Sequence, residues 1–76
     1  MAKADRVLER LRRLPPEMPF SEIETLLLAR GWTIRQGGKP SHWILTSPNG
    51  AYLTIATKQG RSVKRTYLRH ILRELD

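Results

Sequence analysis

Residues 32–57 read WTIRQGGKPSHWILTSPNGAYLTIAT and decide the fold. Side-chain character alternates along Trp32–Gln36 and again along Tyr52–Thr57, and His42–Thr46 is rich in β-forming residues. Both connecting segments contain glycine and proline, and the second, Ser47–Gly50, has them where a tight hairpin turn accepts them. The stretch therefore predicts three antiparallel strands.

Helical patterns flank these strands. Ser21-Glu22-Ile23-Glu24 has the form of a capping box, which predicts a helix that begins at Ser21 and ends at a left-handed cap on Gly31. A last helix is predicted over Val63–Leu75, with Ser62 as its N-cap. Its apolar face consists of Leu68, Ile71, Leu72 and Leu75.

A further helix is predicted at the start of the chain, over Ala4–Leu14, before Pro15 and Pro16 end it. One face carries the apolar residues Val7, Leu8, Leu11 and Leu14. We expect residues 1–18 to form a helical extension with a proline-rich linker, and residues 19–76 to form the main domain. The apolar face of the extension either packs on that domain or contacts a partner.

The predicted class is α+β, with a three-stranded antiparallel sheet that has helices packed on one face. Such a sheet leaves its other face open to solvent. If Trp43 and Leu45 face the helices, then His42, Ile44 and Thr46 lie on the open face.

Composition restricts the possible functions. A chain of 76 residues buries only about 60% of its unfolded surface, so it forms one small domain. It contains no cysteine, which excludes disulfides and thiol catalysis, and its two histidines and scattered carboxylates argue against a metal site. With no apolar run of signal-peptide or membrane-span length, we expect a soluble, cytoplasmic protein without a cofactor.

Positive charge is concentrated in one part of the chain. The net charge is +7, yet residues 1–24 are neutral overall, and residues 25–73 contain no Asp or Glu. A long segment of one sign favours a polyanionic partner such as RNA. Two alternatives to RNA binding remain open: the partner is an acidic protein, or the surface is generally basic and has no specific partner.

His42 is the candidate for chemistry, since it opens the central predicted strand close to Arg35 and Lys39. Histidine is the usual general acid or base near neutral pH. A histidine at a strand edge also serves structural roles, so the residues alone leave both interpretations open. Ser41 precedes it, but adjacent strand residues point to opposite faces, which argues against a Ser-His nucleophile pair.

The segment Phe20–Leu75 resembles the HicA (YcfA-like) toxins, which are mRNA interferases of toxin–antitoxin systems. The resemblance is carried by an ordered series of short motifs. In this sequence they are Gly31-Trp32, Arg35-Gln36, Ser41-His42-Trp43-Ile44, Pro48-Asn49-Gly50, Leu53-Thr54-Ile55 and Leu68-Arg69-His70-Ile71-Leu72.

The resemblance implies an α-β-β-β-α fold similar to double-stranded-RNA-binding domains, ribosome-independent RNA cleavage and neutralisation by a HicB-type antitoxin. The family's catalytic histidine corresponds to His42. Our leading hypothesis is therefore a HicA-like endoribonuclease in which His42 is catalytic and a mainly basic set of residues binds the RNA. They are Arg35, Lys39, Ser41, Lys58, Arg61, Lys64, Arg65 and Arg69.

Three features depart from the family's pattern. Pro40 replaces the glycine before Ser-His, and Ala56-Thr57-Lys58 stands where many members carry proline and a second histidine. The predicted first helix is an addition. A non-catalytic RNA-binding module that keeps the fold is therefore the alternative function.

Overall fold

The computed structural model describes residues 2–59 and 61–75 and has the α+β class predicted from the sequence. In chain order its elements are α1 (Lys3–Arg12), β1 (Glu17–Pro19), α2 (Phe20–Ala29), β2 (Thr33–Gln36), β3 (His42–Thr46), β4 (Tyr52–Lys58), β5 (Ser62–Lys64) and α3 (Arg65–Leu75).

The sheet has five strands in the order β1-β5-β4-β3-β2, and every pairing is antiparallel. The three predicted strands correspond to β2, β3 and β4. The prediction of only three strands was wrong, because it assigned the residues of β1 to a linker and those of β5 to the start of the last helix. These strands have three residues each and pair Met18 with Val63 across most of the chain, so they depend on tertiary pairing rather than on a local pattern.

The strand register separates the sheet into two faces. Leu45 lies between Ile34 and Leu53, and Trp43 lies opposite Ile55; all five side chains belong to the hydrophobic core or pack against it. The alternate positions therefore point to the open face, which decides a question of strand parity that the sequence left open. They include His42 opposite Ala56, and Ile44 between Arg35 and Thr54.

The three helices of the described chain contribute to one core on the covered face of the sheet. Val7, Leu8 and Leu11 of α1 are buried in that core, and α1 packs against α2 and α3. An ion pair between Arg10 and Glu22 joins α1 to α2 at the surface. The apolar face of α1 thus packs on the rest of the chain.

The start of α2 differs from the sequence prediction, whereas its end agrees with it. The helix begins at Phe20, with Pro19 as an N-cap that makes no side-chain hydrogen bond, so the predicted start at Ser21 was wrong. The start is fixed by the sheet instead, because the Phe20 amide donates to the Arg61 carbonyl at 2.6 Å. At the other end Gly31 has a φ of 83°, and the cap predicted there is confirmed.

Hydrogen bonds complete that C-terminal cap. The Gly31 amide donates to the Leu28 carbonyl at 3.1 Å, and the Trp32 amide donates to the Leu27 carbonyl at 3.0 Å. This is the Schellman arrangement, and it leads the chain directly into β2. Among the described residues no helix is long and apolar enough to cross a membrane.

Candidate functional site

The loop between β2 and β3 is closed by backbone hydrogen bonds around His42. The Gly37 amide donates to the His42 carbonyl at 2.7 Å, and the His42 amide donates to the Lys39 carbonyl at 2.9 Å. A Cβ atom on Gly37 would lie 3.2 Å from the Cβ atom of His42. Glycine at this position therefore lets the loop approach the histidine closely.

The middle of this loop is held by side chains. The Gln36 Nε2 atom donates to the Pro40 carbonyl at 2.9 Å. The Ser41 carbonyl accepts hydrogen bonds from both the amide and the hydroxyl of Thr57, at 2.9 and 3.2 Å. Backbone that leads into β3 is thus fixed by both neighbouring strands, β2 and β4.

His42 itself is half-buried on the open face. Within residues 2–59 and 61–75, no group makes a hydrogen bond or ion pair with its imidazole. The ring is therefore available to a ligand, and the described residues supply no carboxylate or carbonyl that orients it. Its position on a fixed strand sets the face of the sheet from which the ring projects.

Several predicted RNA-binding residues surround His42. Arg35 projects from β2 on the same face and lies diagonal to His42, at a Cβ separation of roughly 7 Å for such neighbours. Lys39 and Ser41 belong to the loop that leads into β3. Lys58 follows Ala56 on the same face of β4, and both Lys58 and Lys64 have exposed side chains.

The other predicted RNA-binding residues lie elsewhere. Arg61 borders a cleft at the start of α2 together with Pro19 and Phe20. Arg65 is tied to the segment before β1, because its amide donates to the Pro16 carbonyl at 2.9 Å and its Nε atom donates to the Pro15 carbonyl at 3.3 Å. These contacts place Arg61 and Arg65 near the β1 edge of the sheet, whereas His42 lies on β3.

Arg69 belongs to the exposed side of α3, a helix whose buried side packs on the covered face of the sheet. It therefore points away from the open face. The predicted basic set is divided between a sheet-face group, Arg35, Lys39, Lys58 and Lys64, two residues on α3, Arg65 and Arg69, and Arg61 beside the start of α2.

A cleft next to His42 adds a residue that sequence reasoning did not single out as functional. β4 pairs with β5 at two positions, Lys58 with Ser62 and Thr57 with Val63, and the pairing ends at Thr57. Beyond it, a cleft of about 180 Å³ is lined by Ala56, Thr57, Lys58, Lys64 and Tyr67. Tyr67 belongs to α3, and the sequence gives no sign that it lies beside β4, because that contact depends on how the helix packs on the sheet.

Metal-ligand geometry is absent from the described part of the chain, where no three His, Asp or Glu side chains are grouped to hold an ion. The chemistry available at the open face is that of one imidazole surrounded by cations. Such a face can move a proton at His42 and can attract a phosphodiester backbone.

Comparison with known families agrees with the resemblance carried by the motifs. The family described as "HicA toxin of bacterial toxin-antitoxin" matches residues 20–76. The chain belongs to the HicA toxin family. The match covers β2–β5, α2, α3 and His42, whereas α1 precedes it. Membership of a HicA toxin–antitoxin family implies an antitoxin partner. No curated protein and no solved structure matches the chain.

Proposed function

We propose that this HicA-family protein is a toxin endoribonuclease that cleaves mRNA without a metal ion and uses His42 as its acid–base group. The observation that carries the proposal is the placement of His42 on the open face, at the start of β3, next to a loop fixed by hydrogen bonds and near basic side chains. Strands β2–β5 derive from a stretch, residues 25–73, that contains no Asp or Glu, whereas β1 adds the exposed Glu17 opposite Lys64. Family membership supports a toxin of this kind.

The reaction follows from this placement. His42 accepts the proton of a ribose 2′-hydroxyl, and the oxygen attacks the adjacent phosphorus. The bond from phosphorus to the 5′-oxygen breaks, that oxygen takes a proton from water, and His42 returns its own proton to the solvent, which gives a 2′,3′-cyclic phosphate and a 5′-hydroxyl. Arg35, Lys39, Lys58 and Lys64 attract the backbone and offset the negative charge that develops on the phosphorane.

Neutralisation belongs to the same proposal. A HicB-type antitoxin is the expected partner of a HicA-family toxin, and an acidic surface on it would complement the basic residues of this chain. Binding of such an antitoxin over the open face would exclude RNA from His42.

The test compares wild type, His42→Ala and His70→Ala on a mixed-sequence RNA in EDTA. His70 is exposed on α3 and serves as the matched control. We expect wild type and His70→Ala to give fragments with 2′,3′-cyclic phosphate ends, folded His42→Ala to give none, and DNA to resist cleavage because it lacks the 2′-hydroxyl. Metal-dependent products with 5′-phosphate ends, or equal cleavage by His42→Ala, would contradict the proposal.

A second candidate is a non-catalytic RNA-binding module. It is favoured by the imidazole of His42, which has no orienting hydrogen bond from the described residues. This alternative predicts RNA binding that weakens steeply with salt and no turnover by wild type. The same cleavage experiment therefore distinguishes the two functions.

A further inference from the structure

The cleft between β4 and β5 lies one strand away from His42. Ala56 lines the cleft and is the cross-strand partner of His42 on β3. Neighbouring strands lie about 4.8 Å apart, so a group that enters the cleft is within one nucleotide's length of the imidazole. The cleft therefore adjoins the candidate catalytic side chain through Ala56.

The small side chain of Ala56 leaves the cleft between β4 and β5 open. Ala56 has only a methyl side chain, and it occupies the open-face position between His42 and the point where β4 and β5 separate. A larger side chain there would fill the space next to the histidine. The volume of about 180 Å³ is below the roughly 300–1000 Å³ of sites for drug-sized ligands, which suits part of one nucleotide.

The lining matches the chemistry of a nucleotide. Lys58 and Lys64 are exposed at the rim and supply two positive charges for a phosphate. Tyr67 is half-buried, packs against the core and supplies an aromatic ring that a base can stack on. The Thr57 hydroxyl is already bound to the Ser41 carbonyl, so it contributes packing to the cleft.

Charge sets this cleft apart from two other clefts of the described chain. The cleft at the start of α2 includes Glu24, and the one near the end of α3 includes Glu74. A carboxylate in the lining repels a phosphodiester. The lining of the β4–β5 cleft contains two lysines and no carboxylate.

We propose that the β4–β5 cleft binds the nucleotide adjacent to the scissile phosphate, with its phosphate between Lys58 and Lys64 and its base on Tyr67. This inference rests on the proposed function, because it assigns a subsite to the same RNA. Tyr67 becomes a specificity-determining residue, since a stacked base next to the reacting phosphate selects which bond is cut.

The binding experiment uses the full chain with His42→Ala, so that RNA is not consumed, and a fluorescein-labelled single-stranded RNA followed by anisotropy. Ala56→Leu fills the cleft, and Thr54→Leu places the same leucine side chain on the same face of the same strand, outside the cleft. We expect Ala56→Leu and Tyr67→Ala each to weaken binding by about tenfold. Thr54→Leu should bind like its parent, and Tyr67→Phe should bind nearly as tightly as the parent, because it keeps the ring.

Cleavage mapping gives a second readout with His42 intact. We expect Tyr67→Ala to change the base preference at the cleaved bond, which a merely structural role of Tyr67 would not do. If folded Ala56→Leu binds RNA as tightly as Thr54→Leu, the cleft proposal is wrong although RNA binding stands. If wild type neither binds nor cleaves RNA, the proposed function fails, and the cleft proposal fails with it.

Discussion

Thr57 donates two hydrogen bonds to the Ser41 carbonyl, one from its amide at 2.9 Å and one from its hydroxyl at 3.2 Å. Ser41 directly precedes His42, so a residue of β4 fixes the backbone that carries the candidate catalytic ring. Thr57 is 6% exposed, and the bonds are therefore shielded from competing water. The position of His42 depends on this contact between two strands.

Thr57→Val tests that dependence, because valine keeps the side-chain shape and the backbone hydrogen bond to Ser41 but removes the hydrogen bond from the hydroxyl. We expect a loss of about 0.5–1.5 kcal/mol in the free energy of unfolding, together with a several-fold fall in RNA cleavage. Urea unfolding and initial cleavage rates measure the two effects. Thr54→Val, at an exposed position of the same strand, should change the free energy by less than about 0.5 kcal/mol. Equal effects of both substitutions would remove any special role from Thr57.

The sequence predicted the parts of the fold that depend on local patterns. Alternation and turn residues identified β2, β3 and β4, and Gly31 identified the end of α2. Strand periodicity separated the two faces, but the sequence left open which of them carries His42, and only the register with the neighbouring strands places it on the open face.

Features that depend on distant partners escaped the sequence. β1 and β5 become strands because Glu17–Pro19 meets Ser62–Lys64, and neither segment is long enough to show alternation. The start of α2 followed the sheet rather than the S-x-x-E pattern for the same reason. The cleft beside Ala56 exists only where β4 and β5 separate, so the place of Tyr67 in it has no signal in the sequence.

Gly37 gives a second prediction about the loop next to His42. An alanine Cβ there would lie 3.2 Å from the His42 Cβ and 3.3 Å from the His42 carbonyl oxygen, so the histidine has to shift by a few tenths of an ångström. Because misplacement by about 1 Å costs roughly a hundredfold in rate, we expect Gly37→Ala to slow cleavage by about tenfold or less.

Gly38→Ala is the matched control for this prediction, since a Cβ at Gly38 meets nothing within 4 Å. We expect this variant to keep its activity, and its melting temperature should stay the same or rise slightly because alanine reduces the freedom of the unfolded chain. Both variants are compared by initial cleavage rate on one RNA. Identical rates for the two would show that close approach at Gly37 is unimportant.

Gly31→Ala tests the cap of α2. Gly31 has a φ of +83°, and an added Cβ would lie 3.3 Å from the Cγ atom of Pro48. We expect a destabilisation of about 1–2 kcal/mol from the left-handed backbone alone, with a further destabilisation from this close approach. Gly50→Ala has a φ of +95° but no atom within 4 Å of the added Cβ, so it isolates the backbone cost. Thermal unfolding should rank Gly31→Ala below Gly50→Ala, and the reverse order would contradict this assignment.

Leu11→Ala tests the contribution of α1, which precedes the family match. Leu11 is 0% exposed, and truncation of such a side chain costs about 2–5 kcal/mol. A chain of 76 residues has about 4–11 kcal/mol of stability in total, so the destabilisation should be severe. Arg6→Gln, on the exposed side of the same helix, is the control. Similar urea midpoints for both variants would show that α1 does not complete the core.

Two pairs of basic residues distinguish which surface holds the RNA. Lys58 and Lys64 line the cleft near His42, whereas Arg69 and Arg73 lie on the exposed side of α3 and point away from the open face. For a single strand, the slope of log affinity against log salt changes by about 0.7 for each phosphate that the protein neutralises, so Lys58→Gln/Lys64→Gln should reduce the slope by about 1.4. We expect Arg69→Gln/Arg73→Gln to reduce it by less. Anisotropy titrations over a range of salt concentrations measure both slopes, and an equal or larger effect of the arginine pair would move the RNA from the sheet to α3.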